Sequence, residues 1–242
     1  MHPDKREEEQ ISRGVKKDRP LALLVVPPVY DFALYDLYLK PYGLLRIGRW
    51  LVEGGWDVVL VNGLDYTDPD TASRMGFPRR KPDGTGKFFR SVVETPAPLK
   101  GLIQARISRG EWKKHFARYG IDREVFLHRL RKLEGENSQI RPLSRAYKSR
   151  RPDLIFLATG MTYWYPGAEE AAFLCKELYP EVPLIVGGVY ATLLPEHCHK
   201  ITRADLVVSG ENITPLSDFL SQMNLPTPVC PVPLRPLPLR SI

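Results

Sequence analysis

Residues 154–167 read LIFLATGMTYWYPG: five apolar residues without a break, then Thr159 and Gly160, then three aromatics and Pro166-Gly167. An uninterrupted apolar run suits a central parallel strand buried on both faces, and Pro166 suits the first turn of a following helix. The expectation is a strand over 154–158, a loop over 159–165 and then a helix, the repeating unit of α/β proteins. In a doubly wound sheet that loop sits at the carboxyl edge, where ligands bind. Tyr163, Trp164 and Tyr165 could equally fill the core beneath an ordinary connection, and the loop alone leaves both readings open.

The same rhythm runs through the flanking chain. Residues 21–26, LALLVV, are apolar and stop at Pro27-Pro28, as a buried first strand with a sharp exit. The loop that follows carries Tyr30, Phe32, Tyr35, Tyr38 and Tyr42, too many aromatics for a solvated turn, so it should pack against the domain or a ligand. Residues 43–54 place Leu44, Ile47 and Leu51 at helical spacing, widened by Leu45 and Trp50, and close on Gly54-Gly55. Residues 57–61, DVVLV, are a second strand turned by Asn62-Gly63, completing a unit that is usually parallel and right-handed.

Beyond Leu154, residues 168–178 predict a helix with Ala171, Ala172, Leu174, Cys175 and Leu178 inward. Residues 184–186 form a strand that runs into Gly187-Gly188, and residues 206–208 form another that ends in Ser209-Gly210-Glu211. Thr214-Pro215 then opens a last helix as cap and first-turn proline. The fold class expected is α/β, with a five-stranded parallel, flavodoxin-like (Rossmann-like) sheet in the order 2-1-3-4-5.

Charge divides the chain. Its formal net charge is +7, yet residues 68–151 hold 21 Lys and Arg against 9 Asp and Glu, which makes that segment +12 and the remainder −5. Such a shift, together with Pro and Gly at 78–98, marks an insertion. Helical spacing over 122–132, with Asp122 as cap and Val125, Phe126, Leu127, Leu130 and Leu133 apolar, and again near 110–118, makes it largely helical. The resulting organisation is a mobile leader at 1–19, an α/β domain at 20–67 and 152–223, the basic insertion at 68–151, and an extended proline-rich tail at 224–242.

The insertion's cations, with Phe88, Phe89, Trp112 and Phe116, could meet phosphates and bases. No recognised nucleic-acid motif is present, so a basic cap packed on its host domain is the better reading and nucleic acid is not the expected partner. No apolar run approaches the roughly 18 residues of a membrane span, and residues 1–19 are charged throughout, so the expectation is a soluble cytoplasmic protein with no membrane partner. Cys175, Cys198 and Cys230 are odd in number and widely spaced, giving neither a disulfide framework nor a Cys-x-x-Cys metal site. His197 and His199 flank Cys198, but a polar helix start explains them better than metal ligation, which needs three or four converging ligands.

Loops after Val26, Ala158, Val186 and Val208 should gather at one sheet edge, three of them bearing glycine. Gly160, Gly187, Gly188 and Gly210 remove side chains where a large planar ligand would approach backbone, and Thr159, Thr162, Thr192 and Ser209 offer hydroxyls around it.

These residues resemble the cobalamin-binding domain that precedes the barrel in cobalamin-dependent radical S-adenosylmethionine enzymes. The resemblance covers nearly all of residues 21–211, through PPVY, YGLLRIGRWL, DGTGKFF, RYGI, GMTYWYPG, GGVYATLLPEH and ADLVVSGE, with GMTYWYPG and GGVYAT the most specific. In cobalamin domains a Ser-x-Leu after the third strand and a Gly-Gly after the fourth line the pocket for the nucleotide tail. Thr159-Gly160-Met161 and Gly187-Gly188 look like their counterparts. The resemblance thus implies cobalamin as cofactor and, as binding residues, Pro28, Val29, Tyr30, Thr159, Gly160, Met161, Thr162, Tyr163, Gly187, Gly188, Val189, Tyr190, Ser209, Gly210 and Glu211.

Two departures narrow it. The Asp-x-His-x-x-Gly motif, whose histidine sits beneath cobalt in mutases and methionine synthase, is replaced by the histidine-free PPVYDFALYD, as is common in the radical branch. Tyr30 or the loop 159–163 could cover the lower face instead. The Cys-x-x-x-Cys-x-x-Cys motif, which holds a four-iron cluster with one iron open to S-adenosylmethionine, is missing. The expectation is therefore the cofactor domain alone, a fragment, a truncated product or one half of a split enzyme, without turnover of its own. The iron–sulfur cluster and S-adenosylmethionine would belong to a missing domain or a separate radical-enzyme subunit. No catalytic residue is assigned, since Glu211 alone is a poor case for acid–base work. A nucleotide-binding transferase using the same glycine loops and a nucleic-acid-binding adaptor using the insertion are the alternatives.

Overall fold

The computed structural model describes residues 19–31, 41–65, 69–76, 79–80, 87–95, 116–131 and 150–229. The expectations for the leader before residue 19, for Phe32, Tyr35 and Tyr38, for residues 110–115 with Trp112, for Lys132 and Leu133, and for the tail from Cys230 onward lie outside them.

Leu21–Val26 forms β1 and is buried at all six positions, as an apolar run should be when helices cover both faces of its sheet. Val29–Asp31 is a short β2, Tyr42–Glu53 is helix α1 and Asp57–Asn62 is β3. Helix α1 ends where the glycine pair predicts: Gly55 takes φ +88°, and the Trp56 N–H returns to the Leu51 carbonyl at 3.0 Å. In the insertion lie α2 (Pro69–Met75), β4 (Arg79–Arg80), β5 (Lys87–Phe88), β6 (Arg90–Val92), β7 (Ala117–Tyr119) and α3 (Arg123–Arg131). The α/β pattern resumes with β8 (Leu154–Thr159), a 3-10 turn at Thr162–Trp164, α4 (Tyr165–Leu178), β9 (Leu184–Gly188), α5 (Val189–Leu193), α6 (Pro195–Thr202), β10 (Leu206–Val208) and α7 (Thr214–Gln222).

The main sheet is five-stranded and all parallel in the order β10-β9-β8-β1-β3, the flavodoxin-like order 2-1-3-4-5 when its strands alone are counted. One face, with Leu23, Val25, Ile155, Leu157 and Val186, is covered by α3, α4 and α6. The other, with Leu24, Val26, Phe156 and Ile185, is covered by α1 and α7 through Leu44, Trp50, Leu51, Leu216 and Leu220. Residues 225–228 lie on this second layer: Leu225 packs on the cluster, the Trp56 indole N–H donates to the Pro226 carbonyl at 2.7 Å, and Pro228 is buried against Gly54.

Two expectations are corrected. In the described part of the insertion, four short strands accompany its two helices. Ala117 and Arg118, expected in a helix near 110–118, belong to β7, central in a three-stranded antiparallel sheet between β2 and β6. Pairing with a strand far away in sequence overrides local spacing there, a dependence on context typical of strands. Thr214 does not cap the last helix but begins it: the Thr214 N–H is satisfied by the Asn212 side-chain carbonyl at 3.0 Å.

The insertion is joined to the main domain by charge as well as by packing. Arg118 of β7 donates to both carboxylate oxygens of Glu170 in α4, at 3.0 and 2.8 Å, and to the Ile121 carbonyl at 2.6 Å. Tyr30, opposite Arg118 in the ladder, donates its hydroxyl to the same carboxylate at 2.9 Å. Burial first, and Glu170 second, push the Tyr30 phenol up to about 12 from an ordinary value of 10.0. Between those values the unfolded chain releases a proton that the folded chain retains, so this contribution to stability is complete below pH 10 and is lost as pH rises towards 12. Urea midpoints measured from pH 9 to 11.5 should fall, and fall less steeply in Tyr30→Phe; an equal slope in the variant would refute the assignment.

Candidate functional site

The carboxyl ends of β1, β8, β9 and β10 surround a cavity of about 690 Å³. Parallel strands bring their ends to one edge, and the crossovers leave a crevice there. The cavity is a slot beneath the second layer of helices. One wall is the sheet face bearing Val26, Phe156, Ala158, Ile185, Gly187 and Val208; the other is Leu44 and Ile47 of α1 with Ile213 and Leu216 at α7. Around its mouth four apolar side chains remain exposed, Tyr42 at 57%, Met161 at 36%, Val189 at 51% and Leu193 at 62%. Apolar residues gathered at a cavity mouth mark a binding edge more specifically than scattered ones do. Half-buried Arg46 and exposed Glu211 bring charge to the same mouth.

Glycines shape the edge in three ways. At Gly160 a Cβ would lie 2.5 Å from Cε3 of Trp164, whose indole N–H donates to Asp31 at 2.9 Å, so the ring can pack directly on the loop backbone. Gly188 holds φ 114° and ψ −168°, a region open essentially to glycine alone, and a Cβ there would run into the Thr159 carbonyl oxygen. A Cβ at Gly187 would meet nothing closer than the Val208 carbonyl at 3.8 Å, so its missing side chain simply leaves room in the slot.

Of the residues expected at the site, Pro28, Val29, Thr159, Gly160, Met161, Gly187, Gly188, Val189, Tyr190, Gly210 and Glu211 line the cavity. Tyr30, Thr162, Tyr163 and Ser209 are not among its lining residues. The Tyr30 hydroxyl is turned to Glu170. Thr162 opens the 3-10 turn, Tyr163 stands edge-on to Trp164 at 6.0 Å, and the Ser209 hydroxyl donates to the Thr192 carbonyl at 3.3 Å.

The threonine hydroxyls expected around a ligand serve the scaffold instead. Thr159 Oγ1 donates to the Gly187 carbonyl at 2.8 Å and accepts the Ala191 N–H at 3.2 Å. Thr192 Oγ1 donates to the Gly188 carbonyl and accepts the Gly210 N–H, both at 2.9 Å. Each hydroxyl clamps neighbouring loops, which holds the edge in one shape. Tyr190 presents a buried ring to the cavity while its hydroxyl is hydrogen-bonded with Nδ1 of exposed His197 at 2.6 Å, and burial raises its pKa so that the phenol stays neutral. Burial also pushes the Cys175 thiol up to about 12 and the Cys198 thiol up to about 11, leaving neither as a thiolate near neutrality.

Sequence reasoning missed the opposite wall. Leu44, Ile47, Ile213 and Leu216 carry an apolar spacing that marks a buried helix face without telling core from cavity, and Trp164 was legible only as one of three loop aromatics.

Comparison of the chain with protein-family models, with curated proteins and with solved structures finds no match. Fold and cavity together define an α/β domain with an apolar slot at the carboxyl edge of a five-stranded parallel sheet. No helix among the described residues is long and apolar enough to cross a membrane.

Proposed function

We propose that this chain is a cobalamin-binding domain resembling the N-terminal module of cobalamin-dependent radical S-adenosylmethionine enzymes. The observation that carries the reading is the slot of about 690 Å³ between sheet and helices, entered past the side-chain-free pair Gly187-Gly188. The apolar lining of the slot supports a place for the nucleotide tail of the cofactor, and the exposed Tyr42, Met161, Val189 and Leu193 support one for the flat macrocycle at its mouth. Gly187 leaves room for backbone to approach the ligand, while the Thr159 and Thr192 clamps hold the loops in place before it arrives.

When bound, cobalamin supplies a cobalt that carries a methyl group; the protein's share is binding and orientation. The chain's three cysteines, Cys175, Cys198 and Cys230, do not form a Cys-x-x-x-Cys-x-x-Cys motif. Turnover would therefore need S-adenosylmethionine and an iron–sulfur cluster held by a separate catalytic domain or subunit.

Protein mixed with hydroxocobalamin should leave a gel-filtration column with corrin absorbance in the protein peak. Corrin eluting entirely apart from protein, in air and without oxygen, would refute the proposal. Retention of ATP or GTP with indifference to the corrin would move the assignment to the nucleotide-binding alternative.

A further inference from the structure

We infer that the chain associates with a second copy of itself through the outer edge of β10, joining the two main sheets edge to edge about a two-fold axis at Val207. No ligand in the slot is needed for this. β10 closes one end of the main sheet, and among the described residues no strand lies beyond it. Its residues Leu206, Val207 and Val208 are all apolar and only half-buried, whereas β1 is buried throughout. Charge, proline or a covering element usually blunts such an edge, and β10 carries neither charge nor proline. The backbone of Val207 also points off the sheet. In parallel strands, the face on which a side chain stands fixes the side to which its own N–H and C=O turn. Ile155, on the face covered by α4, sends its N–H to Pro183 on the β10 side, and Asp57, in step with Val59 and Val61 on that face, sends its N–H to Pro20, again towards β10. Val207 packs on the same face, so its N–H and C=O turn outward.

The charges around this edge make it complementary to itself. Helix α6 packs beside β10. Exposed Glu196, in the first turn of α6, and exposed Glu211 stand at the carboxyl end of the edge; exposed Lys200, in the last turn of α6, and exposed Arg203 stand at its amino end. Among the described residues none of these four is held in an ion pair, while Asp205 at the amino end is already met by Lys176 at 2.8 Å. A two-fold axis normal to the sheet reverses the second strand and keeps both α6 helices on one face. With Val207 opposite its own counterpart the two residues exchange N–H···O=C bonds, and Arg203, four residues before the axis, falls level with Glu211 of the second copy, four residues after it. The symmetry repeats that match, and Lys200 and Glu196 are opposed in the same sense. Opposite charges across paired strands favour pairing, whereas parallel strands would set acid beside acid. Exposed Leu193 and Leu194 flank the carboxyl end, where Thr192 bonds Ser209 and Gly210, and add apolar surface to the contact.

The test is sedimentation equilibrium of the full chain in low salt, across a roughly hundredfold range of concentration. The mass should rise from 27.6 kDa to twice that value. Arg203→Glu and Glu211→Arg should each weaken the dimer by roughly tenfold or more, because each sets like charges together at both symmetric contacts, and the double variant Arg203→Glu/Glu211→Arg should restore it. Val207→Pro removes the outward N–H without taking a bond from β9 and should leave a monomer with an intact melting transition. A chain that stays monomeric throughout overturns the inference. So does a dimer indifferent to both single charge reversals, or one that the double variant fails to restore. A folded Val207→Pro chain that dimerises as before places the contact elsewhere and overturns it as well; should that variant not fold, the charge exchange still decides. None of these outcomes bears on whether the slot holds cobalamin.

Discussion

Gly188→Ala is expected to cost roughly 2–5 kcal/mol of stability, while the same change one residue earlier, Gly187→Ala, should cost less than about 1 kcal/mol. Gly188 ends β9 at φ 114° and ψ −168°, which strains any residue with a Cβ, and the added methyl would be driven against the backbone of Thr159. That backbone cannot yield easily. Thr159 is itself 7% exposed and tied by its hydroxyl to Gly187 and Ala191, so the clash propagates into β8 and α5. At Gly187, which lines the cavity, the new methyl meets only ordinary contacts at 3.8 and 3.9 Å. Urea denaturation of the pair should separate the two roles. Similar midpoints would mean that the edge is not strained as the geometry requires.

Arg118→Met is the second large effect, a loss of about 3–5 kcal/mol. The side chains of Arg118 and Glu170 are 9% and 14% exposed and meet through two hydrogen bonds, so removing the cation strands a carboxylate away from water. The Tyr30 hydroxyl would remain its donor, too little to offset a buried charge. Removing both charges in Arg118→Met/Glu170→Leu should recover much of the loss, because a buried ion pair replaced by apolar residues of similar volume is often close to neutral. If the double variant is as unstable as the sum of the singles, packing of β7 on α4 and not charge carries the contact. Since Arg118 lies in the insertion and Glu170 in the α/β domain, this pair also gauges how far the two fold together.

The parts of this protein readable from residue order are those set by neighbours within one element. An unbroken apolar run at 21–26 or 154–158, short and bounded by Pro or Gly, favours a strand covered on both faces, and Pro166 and Gly55 sit where helix ends favour them. The parallel order and the meeting of Thr159, Gly160, Gly187, Gly188 and Gly210 at one edge follow from strands alternating with helices. Partners distant in the chain left no such trace. Ala117–Tyr119 is a strand because Val29–Asp31 lies beside it, the Thr159 and Thr192 hydroxyls close loops because other strand ends are within reach, and Tyr30 turns to a carboxylate on α4. Helices α1 and α7 declare an apolar face, but only their seating across the sheet turns part of that face into the wall of a slot. Spacing records which side of an element avoids water; what covers that side, and where a gap remains for a ligand, depends on packing between elements.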